Sequence, residues 1–374
     1  MATTATTVVY EGPQSLTIRD LPIPEVAAGD LLIEVLMAGV DGSELHIING
    51  ELERANAKAP MILGDEIVGR VVQIGQRAQQ LRGLQVGDVV SVESRWPCEE
   101  NCRGCSGGNY FLCDNIWGPT TGRLGYGSTP LAEAPGLWGA YATHVFVPEQ
   151  ALVYRIPEAL PLKTALYACS VLANGLRWSR ESGAQAGKTV VVVGPGPQGI
   201  ACVLAASRSG ARVVCVGLER DAARLESARK AGAVTTVAIA QDESVSDTIA
   251  RIRSEVGVVD AVIETAGAPS AKQLAFGVVG TLGIVVNVSI PSPKAQEVDW
   301  MSLLTREVTI KNAVSHPHSV GEALALAEQM LAEGLDIGDF VTHVFGLRDV
   351  EQAIRVAAYG TSETPVKVAL DPTL

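Results

Sequence analysis

No stretch of about 18 consecutive apolar residues occurs in the 374-residue sequence, so nothing in it is expected to span a membrane. The first residues, Met1-Ala-Thr-Thr-Ala-Thr-Thr, lack the basic region and apolar run of a secretory signal, and a cytoplasmic protein is expected. Basic residues are in deficit. With 29 Lys and Arg against 41 Asp and Glu, the net charge is -12 and the pI is near 5.0, which argues against a nucleic-acid surface. Internal repeats and low-complexity tracts are also absent. What is present suffices for a sizeable core, at 47% hydrophobic and 19% charged residues. The length makes two domains the natural expectation.

Cysteine is sparse except in one place. Of seven cysteines, four crowd into Cys98-x3-Cys102-x2-Cys105-x7-Cys113, with Gly104, Gly107 and Gly108 among them. An odd total with such clustering reads as metal ligation in a reducing compartment rather than a disulfide framework. Four thiolates on a short glycine-containing lobe can enclose a tetrahedral Zn²⁺ with no open position, which makes the site structural.

The chain is organised around Lys188-Thr-Val-Val-Val-Val-Gly-Pro-Gly-Pro-Gln-Gly199. Four valines suit a parallel strand buried on both faces, and the apolar run from Ile200 reads as a helix. Between them lies Gly194-x-Gly196-x-x-Gly199. The first glycine permits a tight turn, the second a close approach of pyrophosphate, and the third close helix–strand packing. The helix N-terminus, with Pro197 and Gln198 in its first turn, offers N–H groups to phosphate. A second strand at 211–216 leads to Gly217-Leu-Glu219-Arg220-Asp221. Glu219 is the candidate for the adenosine ribose hydroxyls, while Arg220 and Arg224 could instead face a 2′-phosphate. NAD is therefore the expected cofactor and NADP the alternative. Asp260-Ala-Val-Ile-Glu-Thr-Ala-Gly267 and Gly283-Ile-Val-Val-Asn-Val-Ser-Ile-Pro291 read as further strands. Their C-terminal turns, at Ala266 and Ser289, should flank the nicotinamide.

Before this α/β region, residues 8–92 read as an all-β segment, with strands at Leu31–Met37, Ile67–Gly75 and Val89–Val92. Residues 115–139 read as a long surface loop anchored by Trp117, Tyr126 and Trp138, either a pocket wall or simple packing. A strand is expected over 140–147 and a helix carrying Cys169 over 165–181. Near the C-terminus, 322–333 reads as a helix, and Pro365-Val-Lys-Val-Ala-Leu370 as a strand that could return to the first domain.

This order of motifs, together with the Asp260–Gly267 turn and Leu137-Trp-Gly-Ala-Tyr141, resembles the medium-chain dehydrogenase/reductase superfamily, in its zinc alcohol dehydrogenase branch. The resemblance covers essentially the whole chain. It implies an α/β fold: a GroES-like β-rich catalytic domain over 1–170, with a zinc lobe at 95–115 and completion by 315–374, plus a Rossmann doubly wound parallel-sheet domain over 171–314. It also implies an NAD(P)-dependent oxidoreductase acting on a small alcohol or carbonyl, as a homodimer or homotetramer.

The resemblance breaks at the catalytic zinc. The branch places Cys in a Gly-x-Cys-Gly-Thr/Ser-Asp stretch and His in Gly-His-Glu; here those positions are Asp41 and Asp65. Glu66 is kept, Cys169 lies where a third ligand is expected, and Ser43 and His46 keep the places of the proton-relaying hydroxyl and imidazole. Three carboxylates and a thiol in one dry pocket cannot all ionise without a cation. Either a divalent metal sits in an Asp/Asp/Cys site, or a carboxyl is protonated and donates a hydrogen bond to the substrate oxygen. Loss of the better zinc ligands favours the metal-free form. Reduction of an activated C=C bond, a lyase or isomerase reaction, and a non-catalytic nucleotide-binding module remain alternatives.

Overall fold

The computed structural model describes residues 3–52, 58–98, 100, 102–114, 124–291 and 296–374. The chain divides into two compact units, Met1–Ser170 with Val320–Leu374, and Val171–Ser319.

The first unit is β-rich. Its strands are β1 (Thr4–Gly12), β2 (Ser15–Pro22), β3 (Leu31–Val40), β4 (Met61–Ile62), β5 (Ile67–Ile74), β6 (Val89–Val92), β7 (His144–Val147) and β8 (Val153–Arg155). The second unit contributes β9 (Thr189–Val193), β10 (Arg212–Leu218), β11 (Thr235–Ile239), β12 (Ala261–Glu264), β13 (Ile284–Asn287) and β14 (Thr309–Asn312). The chain then returns to the first unit for β15 (Val341–Phe345) and β16 (Lys367–Leu370).

In the first unit β16 pairs antiparallel with β3, matching Val368 to Val40 and Leu370 to Ala38. The last strand of the chain thus lies beside the strand that leads into the candidate site. β3 also pairs with β5 and β7, and its apolar residues sit in the main core with Tyr10, Met61 and Val145. The expected strand over 140–147 is shorter: only His144–Val147 forms a ladder, and Ala142 makes a single bridge to Thr7. The 115–139 segment, where it is described, is a loop exposed at 132–135 and anchored in the core by its aromatic residues. Tyr126 and Trp138 are buried, and their rings pack on each other and on Trp96 at centroid distances of 5.7–6.5 Å. The Tyr126 hydroxyl donates to Phe146 O, and Trp138 Nε1 donates to Glu133 O. These polar tips are satisfied internally, so the rings could enter the core. Trp117 lies outside the described residues.

The second unit is a parallel sheet of order β11-β10-β9-β12-β13-β14 among the described residues. Valines of β9 are buried on both faces, as a central parallel strand requires. The order reverses beside β9, between β10 and β12. Such a switch point opens a ligand crevice at the C-terminal strand ends. β11 and the helix Val245–Val256 were not read from sequence. The helix expected over 165–181 is broken in register: Leu162–Leu166 is α-helical, Tyr167–Leu172 is a π-turn, and Ala173–Ser182 is α-helical again. Cys169 sits in that π-turn, a feature with no local sequence signal and one often found at functional sites.

Candidate functional site

Asp41 follows β3 and caps the helix Gly42–Ile48. Its Oδ1 accepts from Ser43 N at 2.8 Å, Ser43 Oγ at 2.7 Å and Glu44 N at 3.2 Å, while Glu44 Oε2 accepts from Asp41 N at 3.0 Å. This is a reciprocal capping box. Glu44 is fully buried, and its Oε2 also accepts from the Tyr141 hydroxyl at 2.5 Å. Burial, and then the charges of Asp41 and Asp65, hold the Glu44 carboxyl well above the usual carboxylate range.

Asp65 and Glu66 precede β5. The Glu66 carboxylate lies over Gly39 of β3, where a Cβ would collide with it, so glycine is required there for close approach. Glu66 Oε2 pairs with Lys367 Nζ at 2.5 Å, and Lys367 Nζ donates to Val40 O at 3.0 Å. Lys367 is 1% exposed and is the cation that β16 carries into this carboxylate cluster. Its pKa is raised: burial acts downward, and the charges of Glu66 and Asp41 outweigh it. Asp65 is partly open to solvent, and its pKa is pushed up to about 7. Burial is the main cause, the charges of Asp41 and Glu66 add to it, and Arg95 and Lys367 oppose it.

Cys169 does not complete a ligand set with Asp41 and Asp65. Among the described residues, the one group of three or more His, Cys, Asp or Glu whose ligand atoms all lie within 4.8 Å is the four-cysteine lobe. Burial pushes the Cys169 thiol up to about 12, and its charged neighbour is Glu93. Ser43 and His46 are not joined by a hydrogen bond. Ser43 is engaged with Asp41, and His46 Nδ1 lies 2.6 Å from Glu51 Oε2.

In the second unit, Gly194 has φ +104°, and a Cβ on Gly199 would collide with Gly194 O, so this turn excludes side chains at both positions. A Cβ on Gly196 would meet no heavy atom within 4 Å, leaving room in front of that residue. The helix Pro197–Arg208 begins at Gly196 with no side-chain cap, so its first N–H groups face outward. These features fit a pyrophosphate. β10 extends to Leu218, two residues further than expected, and sets exposed Glu219 directly after the strand. Arg224 is buried, and its guanidinium lies 3.8 Å from Asp221. Arg220 remains exposed.

The turns after β12 and β13 are tied by a buried carboxylate. Glu264 Oε1 accepts from Ala266 N at 2.7 Å and Gly267 N at 2.8 Å, and Oε2 accepts from Ser289 Oγ at 2.6 Å and from Lys272 Nζ. Lys272 also donates to Ser289 Oγ at 2.9 Å. The Ser289 hydroxyl thus links the turn after β13 to Glu264 and Lys272.

In the lobe, Cys102 Sγ and Cys113 Sγ are 3.8 Å apart, close to the edge of about 3.8 Å implied by a Zn–S₄ tetrahedron. Backbone N–H groups of Cys98 and Cys102 donate to Cys105 Sγ and Cys98 Sγ at 3.3 and 3.4 Å, as thiolate ligands require. The donor set suits Zn²⁺ in a closed, structural site.

Residues 27–158 match the alcohol dehydrogenase GroES-like domain family, and residues 197–329 match the zinc-binding dehydrogenase family. The chain belongs to the medium-chain dehydrogenase/reductase superfamily. Among its relatives, L-threonine 3-dehydrogenase of Escherichia coli K12 is 28% identical over 350 residues, covering 93% of this chain and 95% of that protein. An alcohol dehydrogenase from Thermotoga maritima superposes with TM-score 0.82 at 25% identity, covering 98% and 99% of the two chains. A zinc-binding dehydrogenase from Sinorhizobium meliloti 1021 bound to NADP gives TM-score 0.82 at 26% identity, covering 99% and 100%. As a member of the superfamily, this chain is an NAD(P)-dependent oxidoreductase with a four-cysteine zinc site.

Glu44, Tyr141, Lys272 and Lys367 were not singled out by sequence reasoning. The Asp-x-x-Glu spacing of a capping box was a usable signal for Glu44, and a lysine inside an apolar strand was one for Lys367. Cys105→Ala tests the lobe. Purified parent protein should carry about one zinc per chain, and the variant should lose it together with several degrees of melting temperature. A variant that melts with the parent, beside a zinc-free parent, overturns the assignment.

Proposed function

We propose that the protein moves hydride between a nicotinamide cofactor and a small alcohol or carbonyl substrate without a catalytic zinc, using Asp65 as the proton-holding group. The observation that supports this is the carboxylate cluster built around one buried cation, Lys367, with Asp65 poised to be neutral near pH 7. Asp41 is committed to capping a helix, and Cys169 is a protonated thiol beside Glu93, which leaves Asp65 as the partly exposed acid with a raised pKa. The nicotinamide ring supplies or receives the hydride. In reduction, Asp65 donates its proton to the substrate oxygen and recovers one from solvent. Lys367 and Arg95 limit how far the neighbouring negative charges raise its pKa. The L-threonine 3-dehydrogenase relatives make L-threonine the first alcohol to test.

NAD(H) is the favoured cofactor in this proposal. Exposed Glu219 at the end of β10 can accept ribose hydroxyls and repels a 2′-phosphate, and Arg224 is bound to Asp221. A reducing, cytoplasmic location suits the four thiols. The assembly is proposed to be a homodimer or a homotetramer. Among the described residues β14 ends its sheet, and Trp300, Met301 and Leu304 on the short helix preceding it are 67%, 66% and 70% exposed. An apolar patch beside an unpaired strand edge is self-complementary about a two-fold axis.

Reduction rate should fall as pH rises through about 7, because the donor is the protonated form; alcohol oxidation should rise over the same range. Native-state stability should follow the same sign. A folded pKa above the unfolded 3.8 stabilises at low pH, and that contribution is lost as pH rises through about 7. Asp65→Asn should bind NADH normally and lose on the order of 10²–10⁴ in turnover; unchanged turnover, or a second stoichiometric metal bound by Asp65, rejects this mechanism. Calorimetry should show tighter NADH than NADPH binding, with the gap narrowed in Glu219→Ser; a parent that prefers NADPH contradicts the ribose assignment. Light scattering should give a dimer or tetramer for the parent and monomer for Leu304→Glu, and a monomeric parent at micromolar concentration removes the interface.

A further inference from the structure

Gln198, the second residue of the helix after the glycine turn, is the end of a partly buried hydrogen-bond chain. Asn174 Nδ2 donates to Gln198 Oε1 at 3.3 Å, and His316 Nδ1 lies 2.9 Å from Asn174 Oδ1. An amide oxygen can only accept, so His316 Nδ1 carries the hydrogen. The chain then has one polarity: imidazole N–H to amide carbonyl, amide N–H to the next carbonyl. That polarity leaves the Gln198 Nε2 amide hydrogens as the outward end. An untethered glutamine at this position would sample several rotamers, and either end of its amide could face an anion. A tethered one offers only donors.

The anchor of the chain is held firmly. His316 is 8% exposed, and burial, with Arg177 acting in the same direction, lowers its pKa to about 4, keeping the ring neutral. Ser315 and His318 on either side are non-glycine residues with φ of 56° and 62°, a left-handed conformation that surroundings must impose. Arg177 supplies part of that constraint by donating to Val314 O and, at 3.0 Å, to Ser315 O.

We propose that His316 and Asn174 are positioning residues that hold the Gln198 side chain with its N–H₂ toward the cofactor pyrophosphate, adding a side-chain donor to the backbone donors of the helix N-terminus. This rests on the reading that the Gly194–Gly199 turn holds the pyrophosphate. Hydrogen bonds in series polarise one another, so the far imidazole strengthens the terminal donor as well as orienting it.

Titration calorimetry with NADH and ADP-ribose, and competition by adenosine, which has no phosphate, test the inference. Gln198→Ala, Asn174→Leu and His316→Leu should each weaken NADH and ADP-ribose roughly tenfold, the worth of one hydrogen bond to a charged group. Adenosine affinity should not change. His316→Gln retains an N–H donor and should restore most of the loss. The double variant Gln198→Ala/Asn174→Leu should bind no more weakly than Gln198→Ala alone, because Asn174 acts through Gln198. ADP-ribose affinity equal to the parent's in both Asn174→Leu and His316→Leu overturns the inference, as does a fully additive double variant. A parent that binds adenosine but gains nothing from the diphosphate overturns the pyrophosphate reading itself, and this inference with it.

Discussion

Carboxylates taken out of water need a cation or a proton, and that requirement shapes the first unit. Asp41, Glu44, Asp65 and Glu66 lie close enough to act on one another's charge. Here the cation is the ammonium of Lys367, delivered by the last strand and bonded to Val40 O, 327 residues away in sequence. One ammonium cannot neutralise four acids. Glu44 and Asp65 have their pKa values raised, Tyr141 donates to Glu44, and the helix cap supplies donors to Asp41. Removing either partner of the buried Lys367–Glu66 pair leaves an uncompensated charge, at a general cost of about 3–5 kcal/mol.

The second unit applies the same rule at the ends of its parallel strands. Glu264 is completely buried, yet each of its oxygens takes two donors, so its charge is stabilised without exposure. The consequence is geometric. The turn at Ala266–Gly267 and the hydroxyl of Ser289 are fixed to one carboxylate, and the backbone beside the glycine turn is set before any ligand arrives. Preorganisation of this kind lowers the ordering cost of binding.

A third polar centre lies under the cysteine lobe. Glu93 is buried and accepts from the Tyr110 hydroxyl of the lobe and, at 2.8 Å, from Tyr154 of β8. Burial pushes its pKa up to about 7 despite those two donors. The lobe is therefore held to the sheet by a polar contact as well as by the Tyr110 and Phe111 rings packed among its cysteines. A lobe with so small a core of its own depends on the metal that its thiols can bind.

The sequence by itself determined whatever depends on local spacing. Four cysteines within sixteen positions, valines running into Gly194-x-Gly196-x-x-Gly199, and alternating apolar strands each carry their geometry in a short segment, and the two-part architecture followed from their order. The substitution of Asp41 and Asp65 for metal ligands was equally legible. What those carboxylates do was decided by tertiary structure, because charge balance in a buried site depends on what arrives from distant strands. Lys367 meets Glu66 only through the pairing of β16 with β3, Tyr141 reaches Glu44 across 97 residues, and Cys169 is set beside Glu93 rather than with Asp41 and Asp65 as a third ligand. Trp138 and Tyr126 read as loop anchors, and the fold supplies the internal partners that let their polar tips enter the core. Local pattern specifies which backbone forms; long-range contact specifies which of its polar groups holds a proton.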